Sequence, residues 1–364
     1  MKVVCNRTEL TTAVTTVQRA VATKSSTPAL EGILLKAKDN TAQLCGYDLE
    51  IGITTSIPVT VIEQGEIVLS ARLFTEIVKK MPDEIITIET DDKQLAYLNS
   101  GMTDYQIVGI SSYEFPELPS FEALESFEIE AGTLRSMIKD TIYAVSDNLA
   151  KPILMGSFFD AEDGYLNLVS IDGFRMSMRR EKVESTNKFE FVLPKKTLSE
   201  LLKINSDDES MVKISLGKKH VEFSIDGYCV VSRLIEGKYV AYKDTIPKGS
   251  TTTMTVEASG IISSMERMSL LTSDKMQQPV HFIIADEGMK IFCVTSVGKA
   301  TDFIQTTYEG DELEIGFNNR YMLDAVKNVD ASELLFEFSG PNRPLKIRPT
   351  SGDSFLLLVV PMRI

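Results

Sequence analysis

The sequence is poor in the residues that chemistry usually needs. It has two histidines, His220 and His281, and neither stands near a pattern supplying a nucleophile or a metal partner. Both fall in strand-like stretches and read as ordinary strand side chains. No G-x-x-x-x-G-K-[ST], G-x-S-x-G, H-E-x-x-H or calcium-loop pattern occurs. Gly298-Lys299-Ala300-Thr301 reads as a loop that copies only the end of a phosphate-binding motif. It lacks the first glycine and the Ser/Thr directly after lysine. Asp91-Asp92 and Asp207-Asp208-Glu209 read as solvated turns. A hydrolase with a carboxylate-only site therefore has nothing pointing to it, and no cofactor or metal is expected.

Cysteine is equally scarce. Cys5, Cys45, Cys229 and Cys293 lie far apart without C-x-x-C spacing, so reduced core or strand residues are expected rather than disulfides or zinc ligands. No apolar run of membrane-spanning length occurs, and the first residues, Met1 to Arg7, do not form a signal peptide. A cytoplasmic location is the default, and the Asn6-Arg7-Thr8 triplet is then irrelevant to glycosylation. Positive charge is also short: 38 Lys+Arg face 52 Asp+Glu, a formal net charge of −14. That total argues against gripping nucleic acid by bulk positive charge, because such binding rests on Lys/Arg neutralising phosphates.

What is present is length and repetition. The chain has 364 residues, 43% hydrophobic and 25% charged, which is a soluble multi-domain composition. Three helical stretches, Ala71–Lys79, Lys195–Lys203 and Asn319–Lys327, each follow an apolar strand-like run. Their apolar positions Phe74, Leu198 and Met322 are 124 residues apart each time, as are Lys79, Lys203 and Lys327. An earlier helix recurs too, with i, i+4 apolar pairs Leu10/Val14, Leu134/Ile138 and Ile261/Met265 at intervals of 124 and 127. Pro28, Pro152 and Pro279 follow at the same intervals, each before an apolar strand, and Asp48 and Asp172 are again 124 apart. Turn signals at Asp39-Asn40, Glu162-Asp163-Gly164, Asp226-Gly227 and Asp286-Glu287-Gly288 separate half-buried antiparallel strands. The chain thus reads as three copies of one domain, at 1–124, 125–249 and 250–364, each an α+β unit with two helices packed on antiparallel sheets. The joints are Glu114–Pro119 and Ile246–Ser250. Domains of this size could pack edge to edge into an arc.

Charge is unevenly shared. The six helical stretches (7–24, 72–80, 133–148, 195–203, 258–275 and 319–329) sum to +7, leaving −21 for the strands and loops. Lysine near a helix C-terminus favours the dipole and accounts for Lys79, Lys203 and Lys327 one by one. It does not account for the acidic remainder. Basic helices within an acidic body would repel DNA except along one face.

The triplicated pattern, the segment Ile171-Asp172-Gly173-Phe174-Arg175-Met176 and the C-terminal Val359-Val360-Pro361-Met362-Arg363-Ile364 resemble the bacterial sliding clamp family, the β subunits of DNA polymerase III. The similarity spans the whole chain. It implies a non-enzymatic processivity factor: a head-to-tail homodimer whose subunits each form half of a ring of the DNA-clamp type, with double-stranded DNA threaded through a helix-lined hole. It also implies a cleft between the second and third domains for short Leu/Phe peptides of the polymerase III α subunit, the clamp loader, other polymerases and repair factors.

Carried over residue by residue, the resemblance implies a cleft of Leu154, Ile171, Gly173, Phe174, Arg175 and Met176, completed by Val240, Thr245, Leu358, Val360, Pro361, Met362 and Arg363. Leu154 and Leu358 read equally as plain core. The family commonly has threonine, histidine and leucine where this chain has Ile171, Phe174 and Met176. It commonly has proline at Val240 and often a basic residue at Asp244. These departures keep the pocket apolar but bear on which peptides it prefers. Lys24 and Asn148 match loops that meet the duplex; Arg19, Arg72, Lys79, Lys80, Lys196, Lys203 and Lys327 are pore candidates by helix position. Leu270 and Leu271 match apolar interface positions, with buried core as the other reading. A triplicated protein-interaction scaffold without a nucleic-acid role is the rival function.

Overall fold

The computed structural model describes all residues except 185–187, 273–277 and 286–287. The expected turn at Asp286-Glu287 and the last residues of the 258–275 stretch lie outside the described residues.

Each copy runs strand, helix, strands, strand, helix, strands. Copy one comprises β1 (Lys2–Asn6), α1 (Arg7–Val17), β2 (Gly32–Lys38), β3 (Thr41–Tyr47), β4 (Ile51–Pro58), β5 (Thr60–Glu63) and β6 (Gly65–Ser70). It closes with α2 (Ala71–Lys80), β7 (Ile85–Thr90), β8 (Leu95–Ser100) and β9 (Thr103–Val108). Copy two begins with β10 (Glu125–Glu130), α3 (Ala131–Thr141), β11 (Gly156–Glu162), β12 (Tyr165–Ile171) and β13 (Arg175–Lys182). It continues through β14 (Phe189–Pro194), α4 (Lys195–Leu201), β15 (Met211–Leu216), β16 (His220–Ile225) and β17 (Tyr228–Arg233). A single turn of helix, α5 (Tyr242–Thr245), lies directly before the second joint. Copy three holds β18 (Thr252–Glu257), α6 (Ala258–Ser269), β19 (Val280–Ala285), β20 (Gly288–Thr295), β21 (Gly298–Gln305) and β22 (Tyr308–Gly310). It ends with β23 (Leu313–Phe317), α7 (Asn319–Lys327), β24 (Glu333–Phe338), β25 (Leu345–Pro349) and β26 (Phe355–Val359).

The positions that define the repeat are the positions that fill the cores. Phe74, Leu198 and Met322 are fully buried, and so are or nearly are the pairs Leu10/Val14, Leu134/Ile138 and Ile261/Met265. Burying side chains of this size stabilises by about 1.5–3 kcal/mol each. Asn6 caps α1 by accepting from the N–H groups of Thr8 and Glu9, and Asn318 caps α7 by accepting from Tyr321. Within their copies α1 packs on α2 and α6 on α7. The helices stop earlier than the generous sequence limits. α1 gives way to one tighter turn over Gln18–Ala20, and α6 ends at Ser269, so Leu270 caps it rather than belonging to it.

Hairpin turns sit where short polar pairs predict them. Asp39/Asn40, Asp163/Gly164 and Asp226/Gly227 all have positive φ, the conformation that a two-residue antiparallel turn demands. One expectation is corrected: Gly298-Lys299-Ala300-Thr301 is not a loop but the start of β21, with Lys299 opposite Val294 and Thr301 opposite Phe292. The turn is Ser296-Val297, and the strand alternation carries straight through the lysine. The four cysteines are all free and lie on strands β1, β3, β17 and β20.

Every copy contributes two half-sheets. Its first strand joins its last three, and its second to fourth strands join the strand before its second helix. Copies one and two merge at β17–β4, giving the order β10-β15-β16-β17-β4-β3-β2-β6, and copies two and three merge at β13–β26. The chain folds as two compact units: residues 1–132 with 199–234, and residues 133–198 with 235–364. The central copy is divided, one half-sheet in each unit. No helix among the described residues is long and apolar enough to cross a membrane.

Candidate functional site

In the second unit, β12 and β13 are joined by a tight turn at Asp172-Gly173-Phe174. One carboxylate oxygen of Asp172 accepts from the N–H groups of Phe174 (2.8 Å) and Arg175 (3.0 Å). Gly173 has φ +98°, which a glycine adopts without steric cost. The aspartate 124 residues earlier does the same work: Asp48 accepts from Glu50 (2.9 Å) and Ile51 (2.8 Å). The sequence interval is therefore an interval between identical hydrogen-bonded turns.

The turn throws Arg175 inward and Phe174 outward. Arg175 is 7% exposed; its Nε donates to Asp172 at 2.9 Å, and its two terminal nitrogens donate to Asp324 at 2.5 Å and the Tyr143 carbonyl at 2.8 Å. The guanidinium also lies 4.6 Å from the Tyr321 ring centroid. Each of its three nitrogens donates within the protein, so the side chain braces the turn. Phe174 is 57% exposed and stacks on Tyr321, centroids 5.9 Å apart. Tyr321 carries no signal in the repeat, because its neighbour Met322 holds the aligned core position, and sequence reasoning missed it.

Behind this turn lies one apolar cluster: Leu154, Phe158, Val169, Met176, Val192, Tyr239, Tyr242 and Leu358, with Ile171 and Ile246 packed against it. The structure thus gathers four expected cleft residues, Leu154, Ile171, Met176 and Leu358, and adds two tyrosines from the segment before the second joint. Val240 and Thr245 are exposed and flank Tyr242: its N–H donates to the Val240 carbonyl (2.7 Å), and the Thr245 hydroxyl donates to its carbonyl (2.7 Å). Burial pushes the hydroxyls of Tyr239 and Tyr242 well above the usual phenol value, for Tyr242 with help from Asp160.

The chain end is tied down beside the same turn. The Val360 N–H donates to the Phe174 carbonyl and the Met362 N–H to the Gly316 carbonyl, both at 2.8 Å. A Cβ on Gly316 would collide with Ile364 Cγ2, so glycine lets the tail lie close. Pro361 and Met362 are half-buried, Arg363 exposed. A terminal segment tied down in this way is not a loose end.

The basic candidates are dispersed over helix ends and loops. Lys24 and Asn148 occupy equivalent exposed loops, and Asn148 orders its loop by accepting from Ala150 at 3.0 Å. Arg72, Lys79, Lys80 and Lys196 are exposed on α2 and α4; Lys79 and Lys80 lie 3.8 and 3.9 Å from Glu76. Lys203, in the turn that follows α4, pairs with Glu200 at 2.7 Å, and Lys327 pairs with Glu266 at 2.7 Å. Arg19 and Lys203 are brought together, since the Arg19 guanidinium donates to the Lys203 carbonyl at 2.5 Å. Exposed pairs of this kind hold weakly. Leu270 is 83% exposed, whereas Leu271 is partly buried against the copy-three core.

The comparisons agree from end to end. Residues 1–119, 128–240 and 243–363 match the N-terminal, central and C-terminal domains of the DNA polymerase III beta subunit. The beta sliding clamp of Bacillus subtilis is 31% identical over 376 residues, covering 100% of both chains. That of Halalkalibacterium halodurans is 33% identical over 362 residues, 95% of each. Among solved structures, the DNA polymerase sliding clamp of Bacillus subtilis has a TM-score of 0.97 at 31% identity, covering 100% of this chain and 99% of its own. A putative DNA polymerase III beta subunit from Eubacterium rectale has 0.96 at 31%, with the same coverage. A chain that carries all three domains in order, at this identity and over its full length, belongs to the DNA polymerase III beta subunit family, the beta sliding clamps.

Proposed function

We propose that this chain encircles duplex DNA as a head-to-tail homodimer and tethers the replicative polymerase and other factors for processive synthesis, with no catalysis of its own. The pairing rule at the two sheet junctions carries this reading. At each, the last strand of one copy adds antiparallel to the fourth strand of the copy before it, β17 on β4 and β26 on β13. The same rule leaves β9, the last strand of copy one, and β21, the fourth of copy three, at sheet edges. Bare edge strands recruit another chain unless they are blocked. A second copy supplies β9 for β21 and β21 for β9, and two such joints close a ring by a two-fold rotation. Both edges carry exposed apolar side chains suited to that role, Val108 on β9 and Phe303 on β21, with Leu270 at the end of α6 beside the same copy-three sheet.

The boundaries follow as 1–124, 125–249 and 250–364, each domain closing on its three-strand run. The acidic strands and loops discourage contact with DNA, while Arg19, Lys24, Arg72, Lys79, Lys80, Asn148, Lys196, Lys203 and Lys327 offer short-range, exchangeable contacts to phosphates inside the hole. Loose contacts suit sliding. The cleft of the second unit takes Leu/Phe-containing peptides of the polymerase III α subunit, the clamp loader, other polymerases and repair factors. Its wall is apolar with few polar groups, which suits an anchor side chain. The protein acts in the cytoplasm, where bacterial replication occurs.

The test is retention after loading by a clamp loader. On closed circular DNA the protein should stay bound at salt that strips ordinary contacts, and it should run off once the circle is cut. Equal loss from both forms would favour a protein-interaction scaffold instead.

A further inference from the structure

The two units carry the same strand row at equivalent places. In the second unit the row is Ile171–Met176–Leu358 across β12, β13 and β26. In the first it is Tyr47–Gly52–Val231 across β3, β4 and β17. The frames match: the Val360 N–H donates to the Phe174 carbonyl at 2.8 Å, and the Arg233 N–H donates to the Glu50 carbonyl at 2.8 Å. A segment that follows the last strand of the preceding half-sheet accompanies each row, with Phe115 and Leu118 in the first unit and Tyr239 and Tyr242 in the second, 124 residues apart in each case.

They differ in where the second of these residues goes. Leu118 drops into the gap left by Gly52, where an added Cβ would meet Leu118 Cδ2 at 2.8 Å. Tyr242 is instead drawn aside: its hydroxyl donates at 2.7 Å to the buried Oδ2 of Asp160 on β11, two strands from β13. Lys243 pairs with the same oxygen at 3.1 Å. The counterpart of Asp160 in the first unit is Lys36, opposite Gln43 and Glu66 as Asp160 is opposite Asn167 and Glu190. Lys36 turns to Glu66 at 3.1 Å, and Leu118 has no hydroxyl to hold. The first unit lacks both donor and acceptor.

We propose that Asp160 is the positioning residue of the peptide cleft: by holding the Tyr242 hydroxyl over β11 it sets the Val240–Thr245 wall beside the apolar row and keeps that row able to take a peptide side chain. In the first unit Leu118 closes the equivalent place, so each chain has one cleft. Aspartate does this because a buried hydroxyl given a strong acceptor has one preferred direction, whereas an apolar side chain settles wherever space is left. Asp160 acts through Tyr242 and touches no peptide. This role rests on the peptide-cleft reading of the site.

Calorimetric titration of the full-length protein with a synthetic peptide carrying adjacent Leu and Phe tests it. Tyr242→Phe and Asp160→Leu should each weaken binding about tenfold, and their combination no further. Asp160→Asn, whose amide oxygen still accepts from Tyr242, should bind within twofold of the parent. Tyr242→Phe binding like the parent, or Asp160→Asn as weak as Asp160→Leu, would overturn the role. Should Asp160→Leu fail to fold, Tyr242→Phe decides alone, since it keeps the ring. Two peptides per parent chain would overturn the part given to Leu118. Failure of the parent protein to bind any such peptide overturns the cleft reading itself, which separates the two failures.

Discussion

Arg175 and Asp324 stand 149 residues apart in the sequence and meet at 2.5 Å, tying the turn before β13 to helix α7. A buried guanidinium that loses a partner keeps its desolvation cost without the compensating bond. Because Asp172 remains, and Asp324 is itself about a third exposed, Asp324→Ala should destabilise by about 2 kcal/mol rather than the full cost of a stranded charge. Urea unfolding of both proteins measures this. A midpoint unmoved by the substitution would show that Asp172 and Tyr143 satisfy Arg175 without α7.

The tail makes a separable prediction. Removing Pro361 to Ile364 deletes the Met362–Gly316 hydrogen bond and part of the proposed cleft rim but leaves β26 paired with β13. Leu/Phe peptide binding should fall at least tenfold while the mass in solution stays that of a dimer. Undiminished affinity in the truncated protein would remove the tail from the cleft.

The dimer edges can be tested without touching either core. Phe303→Asp on β21 and Val108→Asp on β9 place a charge on exposed side chains of edge strands. Each should raise the dimer dissociation constant more than tenfold, as expected when a central apolar contact is replaced by an unpaired charge, with unchanged melting of the monomer. Sedimentation equilibrium reads the outcome; dimers as tight as the parent's would place the joint elsewhere.

Contacts to DNA should be individually weak. Replacing Lys24 and Arg72 by alanine removes two exposed cations and touches no core. The slope of log affinity against log salt should shrink by roughly one per lost phosphate contact. Retention on circular DNA after loading should persist if the hold is topological, as proposed. An unchanged slope would assign these side chains to the outer, solvent-facing surface.

Burial sets the chemistry of the thiols. Cys5, Cys45 and Cys229 are pushed up to about 12 by loss of solvation, against a free-thiol value of 9.0. Because only the thiolate reacts and burial also shields the sulfur, alkylation of the folded protein at pH 8 should run at least roughly tenfold slower than for an unfolded chain and rise with pH. Rapid labelling of any of the three at pH 8 would show that its strand opens.

Much of this was legible in the residues. The 124-residue interval marked the core positions Phe74, Leu198 and Met322 because burial admits few substitutes, and the turn aspartates Asp48 and Asp172 because two backbone N–H groups need one acceptor at that spacing. The sequence alone, through local pattern and hydrophobic burial, determined three α+β copies, their hairpin turns and the apolar character of the cleft segment. Which half-sheet of one copy joins which of the next was decided only by the tertiary structure, since β17 on β4 and β26 on β13 are pairings between distant strands whose edges look alike in sequence. The same holds for Arg175 with Asp324, Phe174 on Tyr321 and Tyr242 on Asp160. A charge or a hydroxyl finds its partner by geometry, and only the folded chain brings the two within reach.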